Sequence, residues 1–205
     1  MLLRIHPETP SQRQIRRVAE VLRNDGIIIY PTDTVYALGW SIDNTKAEER
    51  ISQIRQDKKK RTSFSLICKD LSQASDFTRP MDKSTFKLLK HNLPGPFTFL
   101  LPASNKIPHI YGGKKRVVGI RIPNNNIPLA IVEELGQPLM TTSLHNSDDE
   151  IMDYMVDPQK IYEKYDKQVD IIVDGGAGNM DASTVVDCTD HEPAIVREGI
   201  GELES

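Results

Sequence analysis

Short apolar runs separated by turn residues dominate the hydrophobic pattern of this chain. The run at 27–30 is rich in β-branched side chains and too short for a helix. It predicts a buried strand that ends at Pro31, which has no N–H to donate. A second run at 35–38 follows three short polar residues. Further runs predict strands at 64–68, 97–101, 117–122, 138–143, 169–173, 183–187 and 194–197.

Apolar positions at helical spacing alternate with these strands. Ile15, Val18 and Leu22 recur at intervals of three and four residues, which predicts a helix from Ser11 to about Asn24. Further helices are predicted at 45–55, 70–75, 82–90, 127–135 and 158–165. Because helices and strands interleave, the pattern predicts an α/β fold with a twisted mixed sheet and packed helices. A chain of 205 residues is most simply one domain over 1–205.

Composition and charge are those of an ordinary globular protein. With 38% apolar residues, 27% charged residues and a net charge of −3, bulk electrostatics do not indicate a nucleic-acid binder. Cys68 and Cys188 lie in apolar runs, which predicts buried, reduced thiols. No run approaches the roughly 20 apolar residues of a membrane span, and the first residues lack a signal-peptide pattern. We therefore expect a cytoplasmic protein without membrane contact.

Hydroxyl and cationic side chains recur at the predicted strand ends. Thr32, Asp33 and Thr34 follow the first buried strand, either as an ordinary turn or as groups presented to a small polar ligand. Arg121 lies inside an apolar strand, where arginine is rarely fully buried unless it is paired. It either forms a structural ion pair, which periodicity alone favours, or faces a cavity that takes an anionic ligand. The other members of this group are Thr142, Ser143, Ser183, Thr184 and Arg197.

Other catalytic patterns are weak or missing in the sequence. There is no P-loop, and no His/Cys spacing indicates zinc, so we predict no resident metal site. The glycine-rich segment 175–178 follows a strand without a helical pattern after it, which favours a plain connection over a phosphate-binding loop. Ser143 and His145 do not make a catalytic triad without an oriented third member.

Six motifs occur in the order found in one protein family. They are YPTDTVYALG at 30–39, LPGPFTF at 93–99, GIRIP at 119–123, PLMTTS at 138–143, STVVD at 183–187 and VREG at 196–199. In these motifs, which extend over nearly the whole chain, the sequence resembles the YrdC/YciO family of threonylcarbamoyl-AMP synthase-like proteins. The opening IHP and the terminal VREGIG resemble the YciO branch most.

The resemblance implies a twisted α/β sheet around a large, positively charged concave cavity. It also implies a nucleotidyltransferase that makes threonylcarbamoyl-AMP from L-threonine, bicarbonate and ATP for the t6A modification of tRNA. Mg²⁺ would accompany ATP, and AMP is a further implied ligand. Matched positions assign threonine contacts to Thr34, Arg121, Ser143 and Ser183. They assign a nucleotide contact to Arg197, and the further predicted nucleotide contacts are Thr32, Arg55 and Lys58, of which Lys58 would replace a cation of the family's motif at a different spacing.

Two positions depart from the family's pattern. The synthases have Lys-x-Arg after the second helix, where this chain reads Arg55-Gln56-Asp57, and an anion beside a triphosphate is repulsive. The synthases also have Ser-x-Asn at a strand end, where this chain reads Ser143-Leu144-His145. Both departures predict weak or altered synthase activity.

Binding without chemistry is the alternative function. Members of the family have been linked to double-stranded RNA, and two basic loops at the cavity rim would contact its phosphates. Such loops are more often solvated than bound, and a purely structural role has no positive feature in the chain. The partner would be tRNA or another RNA duplex. The predicted RNA-binding residues are Lys59, Lys60, Arg61, Lys114, Lys115 and Arg116.

Overall fold

A mixed β-sheet forms the centre of the computed structural model, in which ten strands of the described residues take part. The strands are β1 (Leu2–Arg4), β2 (Ile27–Tyr30), β3 (Ala37–Ser41), β4 (Ser65–Ile67), β5 (Phe97–Pro102), β6 (Val117–Arg121), β7 (Leu139–Ser143), β8 (Ile171–Asp174), β9 (Thr184–Asp187) and β10 (Ala194–Arg197). The helices are α1 (Gln12–Arg23), α2 (Ala47–Arg55), α3 (Leu71–Phe77), α4 (Lys83–Asn92), α5 (Asn126–Leu135) and α6 (Pro158–Tyr165). The residues described by the structure are 1–55, 64–108, 116–144, 155–190 and 192–204. Within them, no helix has both the length and the apolar character that a membrane span requires.

The strands follow the spatial order β1-β8-β2-β3-β7-β4-β6-β5-β9-β10. Pairing is parallel between β1 and β8, β8 and β2, β4 and β6, and β5 and β9, and antiparallel between the other neighbours. The predicted α/β fold with a mixed sheet is therefore confirmed. The assignment of residues 1–205 to one domain stays a prediction.

Most predicted elements agree with the structure to within about two residues, and two strands differ in an informative way. The strand predicted at 35–38 lies at Ala37–Ser41, because Val35 and Tyr36 still belong to the connection from β2. Strand β1 was not predicted, because three residues give too short a pattern. It pairs in parallel with β8, and Leu3 lies opposite Val173.

Two apolar clusters lie on opposite faces of the sheet, because successive strand residues point to opposite sides. In β2, Ile27 and Ile29 belong to the larger cluster, whereas Ile28 and Tyr30 belong to the smaller one. Side chains of α1 and α5 complete the smaller cluster. Each aliphatic side chain buried there stabilises the fold by roughly 1.5–3 kcal/mol. The buried positions of α1 are Ile15, Val18, Ala19 and Leu22.

The face of the sheet that carries Tyr30 is lined by small and polar side chains farther along the sheet. These side chains lie on β4, β6 and β5 and at the start of β9. Strand register places Ser65 of β4 opposite Gly119 of β6. Gly119 precedes Arg121 by two residues, so both lie on this face of the sheet. A Cβ at Gly119 would collide with Ser65 Oγ and lie 3.0 Å from Cγ2 of Thr98, so the close approach requires glycine. Thr98 and Ser183 share a hydrogen bond of 2.8 Å between their hydroxyls. We call Ser65, Thr98, Gly119, Arg121 and Ser183 the polar face.

Candidate ligand site on the polar face

The connection between β2 and β3 is an internally hydrogen-bonded turn. The hydroxyl of Thr32 donates to the carbonyl of Val35 (2.8 Å) and accepts from the N–H of Thr34 (3.0 Å). Since its proton is committed, the 3.0 Å contact between the two threonine hydroxyls is a bond donated by Thr34. Both side chains are buried. Thr32 thus supports the turn and orients Thr34, whose oxygen remains able to accept a further bond.

Arg121 forms the structural ion pair that its position in an apolar strand left open, and its role towards an anionic ligand stays a prediction. Its Nη2 donates to Oδ1 of Asp33 at 3.0 Å, and the two side chains are 9% and 8% exposed, so the structural ion pair is present. The same nitrogen donates to Oγ1 of Thr34 at 2.9 Å. Nε of Arg121 is buried and has no hydrogen-bond partner among the residues that the structure describes. A buried donor without an acceptor is unfavourable, so this edge of the guanidinium is suited to an anionic ligand.

Asp33 connects the turn to two other loops. Its Oδ2 accepts from the N–H of Asn124, just after β6, at 3.0 Å. Its carbonyl accepts from Nδ2 of Asn179, which lies between β8 and β9, at 2.9 Å. The N–H of Asn179 also donates to the carbonyl of Thr34 at 3.2 Å. The turn, and with it the carboxylate that pairs with Arg121, is therefore held by three hydrogen bonds from two loops.

Arg197 supplies a second cation close to the polar face. Its Nη2 donates to the carbonyl of Ser183 (2.8 Å) and to its hydroxyl (3.1 Å). Arg197 is exposed overall, but desolvation of its guanidinium beside Ser183 lowers the pKa of Arg197 below its ordinary value, and the positive charge of Arg121 lowers it further. Among the described residues, no carboxylate forms an ion pair with Arg197. The two arginines therefore act on one region and together favour an anion there.

The side chain of Ser143 and the contact that Arg55 makes with Thr142 lie on opposite faces of β7. Ser143 is half-buried and lies opposite Ala37, on the same side as Tyr30. Arg55 Nη1 donates to the hydroxyl of Thr142 at 2.5 Å, on the other side of the strand. The structure thus joins Thr34 to Arg121 and Ser183 to Arg197 by direct contacts, but it does not join Arg55 to them. The nucleotide contact of Arg55 stays a prediction.

Several predicted site residues lie outside the described parts of the chain. Arg116 is described, and its Nη2 donates to the carbonyl of Ser104 at 2.7 Å, which ties the start of β6 to the loop after β5. Its role in RNA binding stays a prediction. The predicted residues outside the described ranges are Lys58, Lys59, Lys60, Arg61, Lys114 and Lys115, together with Gln56, Asp57 and His145 of the departing motifs.

The glycine-rich segment 175–178 has the features of a plain connection. The N–H of Gly175 donates to the phenol oxygen of Tyr36 (3.3 Å), and the phenol donates to the carbonyl of Gly176 (2.6 Å). The N–H groups of Gly176 and Gly178 donate to protein oxygens at 3.0 and 2.8 Å. Because these three amides donate to protein oxygens, the structure favours a plain connection over a phosphate-binding loop.

Three residues of the site were not identified from the sequence as functional positions. Asp33 was noted in the turn after the first buried strand, but its pairing with Arg121 was not predicted. No local signal existed for Asn124 and Asn179, which are 91 and 146 residues away from Asp33 in the chain. Thr98, which bonds Ser183 across 85 residues, is equally non-local.

Comparison with known proteins gives consistent matches over most of the chain. A family model described as Telomere recombination, Sua5/YciO/YrdC, matches residues 20–199. The protein YciO of Escherichia coli (strain K12) is 40% identical over 201 residues, which cover 98% of this chain and 96% of YciO. The crystal structure of E. coli YciO matches with a TM-score of 0.91 and covers 98% of this chain and 97% of that one.

Threonylcarbamoyl-AMP synthases are more distant relatives. The enzyme of Bacillus subtilis (strain 168) is 31% identical over 189 residues, which cover 91% of this chain and 53% of the synthase. This chain thus spans about half the length of that synthase. The crystal structure of P. abyssi Sua5 complexed with L-threonine matches with a TM-score of 0.83 at 24% identity, covering 97% of this chain and 57% of that one. The likeness to Sua5 shows a shared fold.

Proposed function

Because this chain belongs to the Sua5/YciO/YrdC family, we propose that it is an enzyme related to the threonylcarbamoyl-AMP synthases and binds L-threonine and ATP at the polar face. The relatives support this substrate class, since one is a threonylcarbamoyl-AMP synthase and the Sua5 structure contains L-threonine. The departures at 55–57 and 143–145 make the proposed activity weak or altered relative to that of the synthases.

The Nε–H of Arg121, which is buried and finds no acceptor in the described part of the chain, is the observation that carries the proposal. Nε and Nη2 form one edge of the guanidinium, and such edges match the two oxygens of a carboxylate. Nη2 is already bonded to Asp33 and Thr34, so on this edge Nε is the donor that the described residues leave open for one ligand oxygen. An unsatisfied buried donor costs about 1–3 kcal/mol, which the carboxylate of a bound amino acid would remove.

Arg197 is the proposed contact for the phosphates of ATP. It lies near Arg121 and has no ion-pair partner among the described residues, so a polyanion would relieve the repulsion between the two cations. Arg55 and Lys58 are further proposed nucleotide contacts. Thr32 would act through Thr34, because its own hydroxyl is committed within the turn. Mg²⁺ would arrive with ATP, since the described residues contain no group of three or more potential metal ligands.

The proposed reaction has two steps. The amino nitrogen of L-threonine attacks the carbon of bicarbonate, and water leaves as the carbamate forms. A carbamate oxygen then attacks the α-phosphorus of ATP, and pyrophosphate leaves. Arg121 would hold the threonine carboxylate away from the reacting atoms, and the charge of Arg197 would stabilise the phosphoryl oxygens as negative charge develops on them.

Ligand-dependent stabilisation and pyrophosphate release test the proposal. We expect L-threonine to raise Tm, and we expect pyrophosphate release from ATP to require both L-threonine and bicarbonate. Arg121→Ala should abolish the response to L-threonine. Arg50→Ala, which removes a surface ion pair with Asp170, should keep it. A protein that does not respond to L-threonine but binds duplex RNA with steep salt dependence would refute the proposal and favour the alternative.

A further inference from the structure

Asp33 holds the side chain of Arg121 by one nitrogen and is itself fixed. Its Oδ1 accepts from Arg121 Nη2 and its Oδ2 from the N–H of Asn124, both at 3.0 Å. Its carbonyl accepts from Asn179, so its main chain is also restrained. Hydrogen bonds to both oxygens restrict the rotation of the Asp33 carboxylate, so it holds a fixed position beside the guanidinium of Arg121. The guanidinium therefore takes the orientation that Asp33 sets.

This ion pair has two opposite consequences for an anionic ligand. The negative charge of Asp33 offsets the positive charge of Arg121, which weakens the attraction for anions in general. The same pair holds the guanidinium with Nη2 occupied and with Nε–H buried and open. A preorganised donor favours a ligand whose acceptor approaches from one direction.

We propose that Asp33 is a positioning residue that determines specificity, because it makes Arg121 a directional site for the carboxylate of L-threonine and a poor site for simple anions. Asp33 acts through Arg121 and does not touch the ligand. The identity of the ligand rests on the proposed function, whereas the orientation of Arg121 rests on the contacts of the free protein.

Asp33→Asn tests the proposal, because it removes the charge and nearly keeps the size of the side chain. Binding of three probes is measured by calorimetry and, for chloride, by ³⁵Cl NMR line broadening. The probes are L-threonine, L-threoninamide, which lacks the carboxylate, and chloride, which has no preferred direction. Asp170→Asn is the matched control, since Asp170 pairs with Arg50 at 3.3 Å on the surface.

We expect Asp33→Asn to weaken L-threonine binding by about tenfold to a hundredfold, the range of one hydrogen bond to a charged group. L-threoninamide should bind both proteins equally, and chloride broadening should increase in the variant. Asp170→Asn should change none of the three. Equal losses for L-threonine and L-threoninamide would show a merely structural role and overturn the proposal, as would unchanged L-threonine binding.

Side-chain NMR of the free protein separates this proposal from the proposed function. The guanidinium signals of Arg121 are assigned by their loss in Arg121→Lys. In the wild type we expect restricted rotation of this guanidinium. In Asp33→Asn we expect fast rotation that averages its N–H signals. Equal averaging in both overturns the role of Asp33, whether or not L-threonine binds. If Asp33→Asn does not fold, the wild type alone decides. L-threonine should then shift the Nε–H signal of Arg121 and leave Nη2 restrained, and a larger shift at Nη2 overturns the proposal.

Discussion

Replacing Arg121 with alanine tests whether its ion pair with Asp33 stabilises the fold, apart from the proposed role of Arg121 in ligand binding. The substitution leaves a carboxylate that is 8% exposed, with the N–H of Asn124 as its remaining partner. At 3.0 Å and an effective dielectric constant of about 20, the lost attraction is roughly 5–6 kcal/mol. Removing one member of a buried pair costs about 3–5 kcal/mol in practice. We therefore expect Arg121→Ala to lower the free energy of unfolding by about 3–5 kcal/mol.

Urea unfolding followed by the fluorescence of Trp40 measures this change. Trp40 is the single tryptophan of the chain and is fully buried in the larger apolar cluster, so its emission reports loss of the core. In a chain of this size, the expected change corresponds to a decrease in Tm of about 6–20 °C. Arg50→Ala is the matched control. Its pair with Asp170 is 45% and 43% exposed, and such surface pairs contribute about 0–1 kcal/mol.

If Arg121→Ala lowered the free energy of unfolding by less than about 1 kcal/mol, the reasoning would be refuted, because exposed ion pairs contribute that little. The double variant Asp33→Asn/Arg121→Ala gives an independent check. It removes the orphaned charge, so it should be more stable than Arg121→Ala alone. If the two substitutions are additive, the side chains do not form the buried pair.

Three further predictions concern other parts of the molecule. Gly119→Ala should lower the free energy of unfolding by about 1–3 kcal/mol through overpacking against Ser65. Adding Ser65→Ala to this variant should recover part of the lost stability, and the midpoints of urea unfolding measure both changes. Asn92→Ala removes two hydrogen bonds to the backbone of the C-terminal segment, so amide exchange at 199–204 should accelerate while the core stays protected. Asp57→Arg with His145→Asn should raise ATP affinity and pyrophosphate release beyond either single change, and equal activity of all variants would contradict the sequence argument.

Local patterns predict those elements that are decided within a few residues. Helix α6 has the predicted bounds because Asp157 caps it, accepting from the N–H of Gln159 at 2.9 Å, and Pro158 fits its first turn. Helix α1 has a continuous buried stripe, so its periodicity is clear. The all-buried β2 gives an equally strong signal in one short run. These features need no knowledge of the rest of the fold.

Non-local contacts set the features that the sequence left open. Whether Arg121 pairs with a protein carboxylate depends on a turn 88 residues earlier in the chain, and periodicity within β6 contains no information about it. Strand β1 depends in the same way on the edge of β8, with which it pairs across about 170 residues. The alternatives for Arg121 were also not exclusive, since one nitrogen forms the ion pair while another remains open.

The two halves of the candidate site differ in how they relate to the synthase pattern, and this difference indicates where an altered activity would arise. On the proposed threonine side, Thr34 and Arg121 occupy the motif positions that the family resemblance assigns to L-threonine, and they contact each other in the structure. On the nucleotide side, the motif that departs begins at Arg55, which contacts the opposite side of β7. Binding of L-threonine and of ATP should therefore be measured separately. Weak ATP binding with L-threonine binding retained would place the change on the nucleotide side, whereas loss of L-threonine binding would contradict the assignment of Arg121 as the carboxylate site.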